Sequence, residues 1–197
     1  MKPIESWFVN ITNNPYLFEM RCTIWVFYQS FFQKKQKQHK VEKRTPLTIQ
    51  VGDIVEYDLE DYEVVGKITY RQSSYEWLSY QLLGPTGTIW LAAEMDDDLE
   101  LGIYKKIQLA DANQIPKELT YQGIKYYLDE KGQAHINGEG RSSNLTGQTM
   151  KYVEYCDESE THFISLEDWG SEIEASYGYP IEQYEIKIIA GSNEGGN

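Results

Sequence analysis

The chain has 197 residues with 31 acidic and 18 basic side chains, which gives a formal net charge of −13. That length is enough for one large domain or two small ones, each with a core that needs no cross-links. Two cysteines far apart in sequence do not suggest a disulfide framework and indicate a reducing, cytoplasmic setting, while the acidic balance argues against nucleic acid as a ligand.

The first fifty residues are basic, whereas the rest of the chain is acidic. Residues 1–50 carry eight Lys and Arg against three Asp and Glu, and residues 51–197 carry ten against 28. We therefore expect the two regions to attract different partners, with anionic lipid drawn to the basic segment and cations drawn to the acidic body.

An apolar run of eleven residues, Cys22–Phe32, lies within the basic segment. It is shorter than the about 20 residues that a membrane-spanning helix needs. A helix here would carry an apolar stripe followed by lysines: Ile24, Phe27, Tyr28, Phe31, Lys34 and Lys35. This pattern is typical of a helix at the inner membrane surface, with weak peripheral contact. The alternative is a leader over residues 1–44 that is disordered or packs its aromatics on the body, or sequence upstream of the native start.

From Val51 onward, short alternating apolar runs are separated by turn residues about every ten positions, which predicts an all-β fold. Gly84–Gly87 reads as a hairpin loop. The last strand is predicted to begin at Tyr184 and to include Ile186 and Ile188. This spacing of strands and turns is typical of a small barrel or a sandwich-like arrangement.

The body also contains an internal repeat, carried by landmarks in the same order. Their gaps differ by one or two residues, except that a glycine-rich excursion, Gly132–Gly147, makes the second half longer. In the first half the landmarks are Tyr57, Tyr62, Tyr80, Trp90, Glu94, Glu100 and Tyr104, and in the second half Tyr121, Tyr126, Tyr155, Ser165, Glu167, Glu174 and Tyr177. The repeat predicts two related antiparallel halves over residues 45–110 and 111–190, after a helical or disordered leader and before a disordered tail, 191–197.

Several of these segments together resemble the bacterial family named domain of unknown function 4178. The resemblance covers about residues 50–189 and is carried by Val51–Tyr57, Tyr62–Gly66, Glu76–Trp77, Tyr80–Leu82, Trp90–Glu94, Ser165–Trp169 and Glu174–Ser176. It implies a β-rich, non-enzymatic protein whose relatives are encoded near envelope-stress proteins like phage-shock protein A and near polyamine-synthase-like proteins. It brings no functional residues with it.

The residue types that carry catalysis or bind metals are sparse in this sequence. The histidines, His39, His135 and His162, are scattered, and no ligand spacing for zinc is present. Cys156 is followed by Asp157 and Glu158, and negative neighbours disfavour the reactive thiolate. We therefore predict no metal, no cofactor and no catalytic set.

The acidic run Glu94–Glu100, close to aromatic residues, is the sharpest polar feature. It lacks the glycine and the final glutamate of an EF-hand loop. Carboxylates with aromatic rings favour a cationic ligand, and the candidate residues are Tyr62, Trp90, Glu94, Asp96, Asp97, Asp98, Glu100 and Glu167. Two alternatives remain open: a pair of catalytic carboxylates, as in glycosidases, or glutamates that only solvate a sheet edge.

These features favour a non-enzymatic binding or scaffolding protein with an unidentified protein partner or a cationic ligand, linked through the resemblance to envelope stress. The alternative is an enzyme or binding protein that acts on a cationic small molecule such as a polyamine, with acidic residues as general base or as ligands.

Overall fold

The computed structural model describes residues 43–109 and 115–191. The sequence-based predictions for the membrane-surface residues Ile24–Lys35 and for the tail beyond Gly191 lie outside these ranges. Eleven strands and two short 3₁₀ helices, Ser143–Leu145 and Gln183–Glu185, account for most of the described chain. The strands are β1 Ile54–Tyr57, β2 Glu60–Gln72, β3 Tyr75–Gly84, β4 Gly87–Met95, β5 Leu99–Ile107, β6 Glu118–Tyr121, β7 Ile124–Gly140, β8 Thr149–Asp157, β9 Phe163–Asp168, β10 Ile173–Ile181 and β11 Ile186–Ile189.

Eight of the strands close into an antiparallel barrel. Strands β2 to β5 follow one another in space, β5 pairs with β10, strands β10 to β7 follow in reverse order, and β7 pairs back onto β2. Strands β1 and β11 extend the sheet from the start of β2, and β6 extends it from the start of β7. The predicted all-β fold of two related antiparallel halves is therefore confirmed, in its barrel form.

The two halves repeat the same order of hairpins, β1 to β5 and β6 to β10. The predicted boundary at residues 110 and 111 lies outside the described residues. Strand β11, which the sequence assigns to the second half, pairs with β1 of the first half. The predicted Gly84–Gly87 loop is confirmed as the turn between β3 and β4.

A β-bulge reverses the faces of β2. The register with β3 shifts between Val64 and Gly66, and one extra residue in a strand turns every later side chain to the other face. As a result Tyr62 and Val64 pack in one core, whereas Ile68 and Tyr70 pack in another. In the sequence, Tyr62, Val64, Gly66, Ile68 and Tyr70 alternate without a break, which predicts one largely apolar face. That prediction is wrong because Val65 is the extra residue.

Two apolar cores lie on the outer face of the barrel strands. Outward side chains of β3 to β5 pack against β1, β11 and Ile49, as in the cluster of Tyr80, Leu91 and Ile103. Outward side chains of β8 and β9 form a second cluster, bordered by β6. Because alternate residues on a strand point to opposite faces, the remaining side chains of these strands face the interior of the barrel.

Two segments differ from the sequence prediction. Tyr184 lies in the 3₁₀ helix before β11 and is 85% exposed, so the last strand begins at Ile186. Of the glycine-rich stretch Gly132–Gly147, expected to form an excursion, residues 132–140 are instead the second part of β7. Its glycines permit close approach, since a Cβ at Gly132 would lie 2.6 Å from the Tyr152 hydroxyl.

Asp53 connects the start of the described chain to its end. The side chain is buried and accepts hydrogen bonds from Arg44 Nε at 3.0 Å, from the Gln50 amide at 2.8 Å and from the Gly191 amide at 2.8 Å. The buried carboxylate and its three donors stabilise the fold only together, because loss of the carboxylate leaves the donors without an acceptor.

We expect Asp53→Ala to lower the free energy of unfolding by about 3 kcal/mol, since breaking a buried charged pair costs roughly 3–5 kcal/mol. The corresponding fall in Tm is about 6–12 °C for a protein of this size, measured by calorimetry. The control is Asp61→Ala, at an exposed position in β2, which should change Tm by less than about 2 °C. Equal effects of the two substitutions would contradict the structural role of Asp53.

Candidate functional site

The barrel encloses a cavity of about 1350 Å³, which we call the lumen. It is lined by the inward residues of the barrel strands, such as Trp77, Ser79 and Gln81 on β3 and Phe163, Ser165 and Glu167 on β9. Eight-stranded barrels are just wide enough to be filled by side chains or to hold one small ligand. Small inward residues leave this lumen open.

The lumen is strongly acidic. Ten acidic side chains border it, against two basic ones, Lys106 and Arg141. The acidic side chains are Glu94, Glu100, Asp129, Glu130, Glu154, Glu160, Glu167, Glu172, Glu174 and Glu182. The larger apolar clusters lie outside the strands, and the lumen combines these charges with one smaller apolar cluster that includes Ile68, Met150 and Tyr152.

Two of these glutamates face each other in the first half. In the register of β3, β4 and β5, Trp77 lies opposite Glu94, and Glu94 lies opposite Glu100. Directly opposed residues on one face have Cβ atoms about 4.5–5.5 Å apart, and like charges in such pairs repel. Neither glutamate has a hydrogen bond or ion pair among the described residues. Burial, followed by Glu100 and Glu130, raises the pKa of Glu94.

The second half repeats this row. In the register of β8, β9 and β10, Tyr152 lies opposite Glu167, and Glu167 lies opposite Glu174. Here the carboxylates have partners, because Tyr70 donates a hydrogen bond of 3.0 Å to Glu167 and Lys106 forms an ion pair with Glu174. The two rows are therefore equivalent in position but different in charge balance.

The pKa values of Glu154 and Glu167 lie near neutral pH. Burial raises the pKa of Glu154 to about 8, against a hydrogen bond of 2.7 Å from Ser165, and the neighbouring Glu167 and Glu130 raise it further. Burial also raises the pKa of Glu167 to about 7, while the Tyr70 hydroxyl lowers it, Glu174 raises it and Lys106 lowers it. Both carboxyl groups can exchange protons near neutral pH, which is characteristic of functional sites in cavities.

Aromatic rings form one wall of the lumen. Trp77 stacks on Tyr70 with ring centroids 5.2 Å apart and contacts Tyr152 edge-on at 5.5 Å. The Tyr152 hydroxyl donates to Glu130 at 2.7 Å and lies 2.7 Å from the Gln72 side-chain amide. This packing holds the Trp77 ring in a fixed position next to Glu94.

Tyr104 lies where the two halves meet. In the pairing of β5 with β10 it is opposite Gly178, and a Cβ on Gly178 would lie 2.4 Å from its ring. Burial, followed by Glu154, Glu94, Glu167 and Glu100, raises the pKa of Tyr104 above its ordinary value. Its hydroxyl group is therefore close to carboxylates of both halves.

The structure places the predicted candidate residues in three locations. Trp90, Glu94, Glu100 and Glu167 line the lumen. Tyr62 is buried in the first outer core with its hydroxyl on Glu60. The run Asp96–Asp98 forms the exposed turn between β4 and β5. Whether any of these residues binds a ligand stays a prediction.

The lumen also contains residues that the sequence did not single out, namely Tyr70, Glu130, Tyr152, Glu154 and Lys106. In the sequence, Tyr70 ends the alternating apolar run that starts at Tyr62. Its inward direction depends on the bulge at Val65, which the sequence pattern does not show. Glu154 stands between apolar residues in β8, where alternation alone marked it as polar without showing what it faces. Its equivalence to Ser79 in the first half was the signal that could have placed it inside.

Other chemistry is limited among the described residues. No three His, Cys, Asp or Glu side chains in residues 43–109 and 115–191 are grouped so that they could hold a metal ion. Cys156 lines the lumen as a free thiol, and burial together with Asp129, Glu160 and Asp157 raises its pKa. Within the same residues, no helix is long and apolar enough to span a membrane.

Comparison with known proteins places the chain in a family. The sequence profile of the family described as "Domain of unknown function (DUF4178)" matches residues 50–183. The chain belongs to this family. The match includes every lumen glutamate from Glu94 to Glu182, so the acidic lumen is built within the family domain.

Similar relatives include "Uncharacterized protein Mb2628" from Mycobacterium bovis and "Uncharacterized protein Rv2597" from Mycobacterium tuberculosis. Each is 27% identical over 134 residues, which are 65% of this chain and 64% of the relative. The chain thus aligns with just under two thirds of the length of these relatives. No solved structure matches significantly. The names state no ligand or partner, so the link to envelope stress stays an expectation from the resemblance.

The raised pKa of Glu154 predicts a loss of stability with rising pH. Its ordinary pKa is 4.5 and its folded value about 8, so between these values the folded state binds more protons than the unfolded state. The stabilisation is complete below about pH 4.5 and is lost as the pH rises through 8. We expect Glu154→Gln to raise stability at pH 9, relative to wild type, by on the order of 2 kcal/mol, because the open lumen partly solvates the charge.

The measurement is Tm at pH 6 and pH 9 for wild type and variant. The difference in Tm between the two pH values should shrink in Glu154→Gln and stay unchanged in Glu63→Gln, an exposed control in β2. An unchanged pH dependence in Glu154→Gln would show that this carboxyl group does not titrate in the lumen.

Proposed function

We propose that this protein binds a small organic cation in its acidic lumen and does not chemically change it. The observation that carries the proposal is the charge imbalance around the cavity of a closed barrel, where ten acidic side chains, four of them partly buried, border the cavity against Lys106 and Arg141. Charges enclosed by a sheet are less screened than those at a surface, so a cation in the lumen interacts with several carboxylates together.

The free energy of repulsion between the opposed glutamates can be estimated. Two like charges about 5 Å apart repel by roughly 3 kcal/mol at an effective dielectric constant of about 20. Glu94 and Glu100 are opposed in this way, and neither has a described partner. A bound cation would convert this repulsion into attraction, which favours binding without any change in the fold.

The size and the walls of the lumen fit a small ligand. Its volume of about 1350 Å³ is slightly above the roughly 300–1000 Å³ usual for ligand pockets. Trp77, Trp90 and Tyr104 present aromatic surface beside the carboxylates, and aromatic rings attract cations in addition to the charge pairing. Enclosure by the strands favours a small cation over a folded protein partner inside the lumen.

A second candidate function is acid–base catalysis on the bound cation. It is favoured by Glu167, whose pKa of about 7 suits a general base at neutral pH. In this case Glu167 would take a proton from a water molecule that hydrolyses an amide of a cationic substrate, releasing an amine and a carboxylic acid, and Glu167→Gln would abolish the reaction. Incubation with N-acetylspermine at pH 7 followed by mass spectrometry tests this candidate, and recovery of intact N-acetylspermine favours simple binding.

We expect spermine to bind the full chain with a defined stoichiometry that persists at 0.15 M salt, where unscreened attraction between exposed charges reaches only about 8 Å. Isothermal titration calorimetry measures it. The double variant Glu94→Gln, Glu167→Gln should weaken binding at least tenfold, because a hydrogen bond to a charged group contributes about 1.5–3 kcal/mol and 1.4 kcal/mol corresponds to a factor of ten.

The matched control is Asp97→Asn, Asp98→Asn, which also removes two charges but in the exposed turn after β4. It should change the affinity less than twofold. Equal losses in the two double variants, or binding that vanishes at 0.15 M salt, would reduce the interaction to a general attraction between an acidic protein and a polycation.

A further inference from the structure

One ammonium group already lies against the lumen carboxylates. The side chain of Lys106 forms an ion pair with Glu174 and lowers the pKa of Glu167. Its side chain is 53% exposed, so it reaches the carboxylates from an open part of the lumen. The pair Glu167–Glu174 is therefore a carboxylate pair with its cation supplied by the chain itself.

The first half contains the same pair without such a cation. Lys106 follows Glu100 by six residues on β5, and Pro180 follows Glu174 by six residues on β10. Their pairing is equivalent too. Lys106 lies opposite Ser176, two residues after Glu174, and Pro180 lies opposite Gly102, two residues after Glu100. Pro180 is thus the counterpart of Lys106, and it carries no charge.

The space next to the first pair is lined by small side chains. The row of β3, β4 and β5 beside Glu94 and Glu100 consists of Ser79, Ala92 and Gly102. The equivalent row in the second half, Glu154, Ser165 and Ser176, ends opposite Lys106. Where the second half holds a lysine side chain, the first half has small residues, the edge of the Tyr104 ring next to Gly102, and an exposed Pro180.

From this asymmetry we infer that the pair Glu94–Glu100 binds the primary ammonium group of a ligand. The ligand carries this group on an unbranched alkyl chain like that of a lysine side chain. The inference rests on the proposed function and specifies the ligand class for the same lumen. A primary ammonium group donates three hydrogen bonds, which suits two opposed carboxylates, whereas a quaternary ammonium group donates none.

The probe is n-butylammonium, which is the side chain of lysine without its backbone. The readout is the NMR signal of two tryptophan indole N–H groups, assigned by Trp→Phe substitution. Trp77 lies opposite Glu94 in the first pair. The Trp169 side chain lies near Glu167 in the second pair and lowers the pKa of that carboxyl group. In the wild-type protein we expect butylammonium to shift the Trp77 signal and to leave Trp169 unchanged, with tetramethylammonium causing neither shift.

Removing the ammonium group of Lys106 should allow the pair Glu167–Glu174 to bind the probe. In Lys106→Met, which keeps the length of the stem and removes the charge, butylammonium should shift both indole signals. In Pro180→Lys, a new ammonium group next to Glu94 and Glu100 should compete with the probe. A tethered group acts at an effective concentration in the millimolar range or above, so we expect the apparent affinity at Trp77 to fall about tenfold.

The outcomes separate this inference from the function on which it depends. If neither spermine nor butylammonium binds the wild-type protein, both fail. If spermine binds the lumen but Lys106→Met leaves the Trp169 signal unaffected and Pro180→Lys binds the probe as well as wild type does, the inference is wrong and the proposed function stands. Both substituted positions are exposed, and dispersed NMR spectra of the variants confirm that they fold.

Discussion

The two seams between the halves, β5 with β10 and β2 with β7, are the constraint on which the rest of the structure depends. Each half is a curved antiparallel sheet. Without the other half, its inward face would be an acidic surface exposed to solvent. Joined edge to edge along both seams, the faces enclose one another and leave no open edge among the eight barrel strands. The burial of Glu154 and Glu167, and hence their raised pKa values, follows from this closure.

Because the lumen carries charge, most of the apolar core lies outside the barrel strands, and only a smaller cluster lines the lumen. The short strands β1, β6 and β11 provide partners for the outward faces, so that Tyr80, Leu91 and Tyr155 are fully buried outside the barrel. A barrel with an apolar interior would need no such covering strands. Most of the buried apolar residues belong to the outer clusters, so the part of the lumen that holds the carboxylates is free to carry residues that weaken the fold. Such a division is usual where function and stability compete for the same residues.

The sequence predicted the architecture better than the site. Alternation, turn residues and the repeated landmarks are local signals, and they were sufficient for an all-β fold of two related halves. The direction of a side chain depends on register, which one inserted residue reverses, so Tyr62 and Tyr70 could not be assigned to different cores from the pattern. Glu94 and Glu100 were found because they are the two ends of an acidic run, but that they lie opposite each other is known only from the register of β4 and β5. The approach of Lys106 to Glu174 depends on the β5–β10 seam, which joins segments distant in sequence and leaves no local signal.

Because both halves belong to one chain, equivalent positions of the repeat can hold different residues, which is impossible in a symmetric dimer of identical chains. The approximate two-fold axis that relates the halves passes between Tyr104 and Gly178, because each is the counterpart of the other and they are paired directly. In a dimer of identical chains, both positions would hold the same residue. Two tyrosine rings would collide there, and two glycines would leave a gap. Joining the halves in one polypeptide allows one ring to occupy the shared space, and the same freedom allows one half to keep its lysine while the other presents proline.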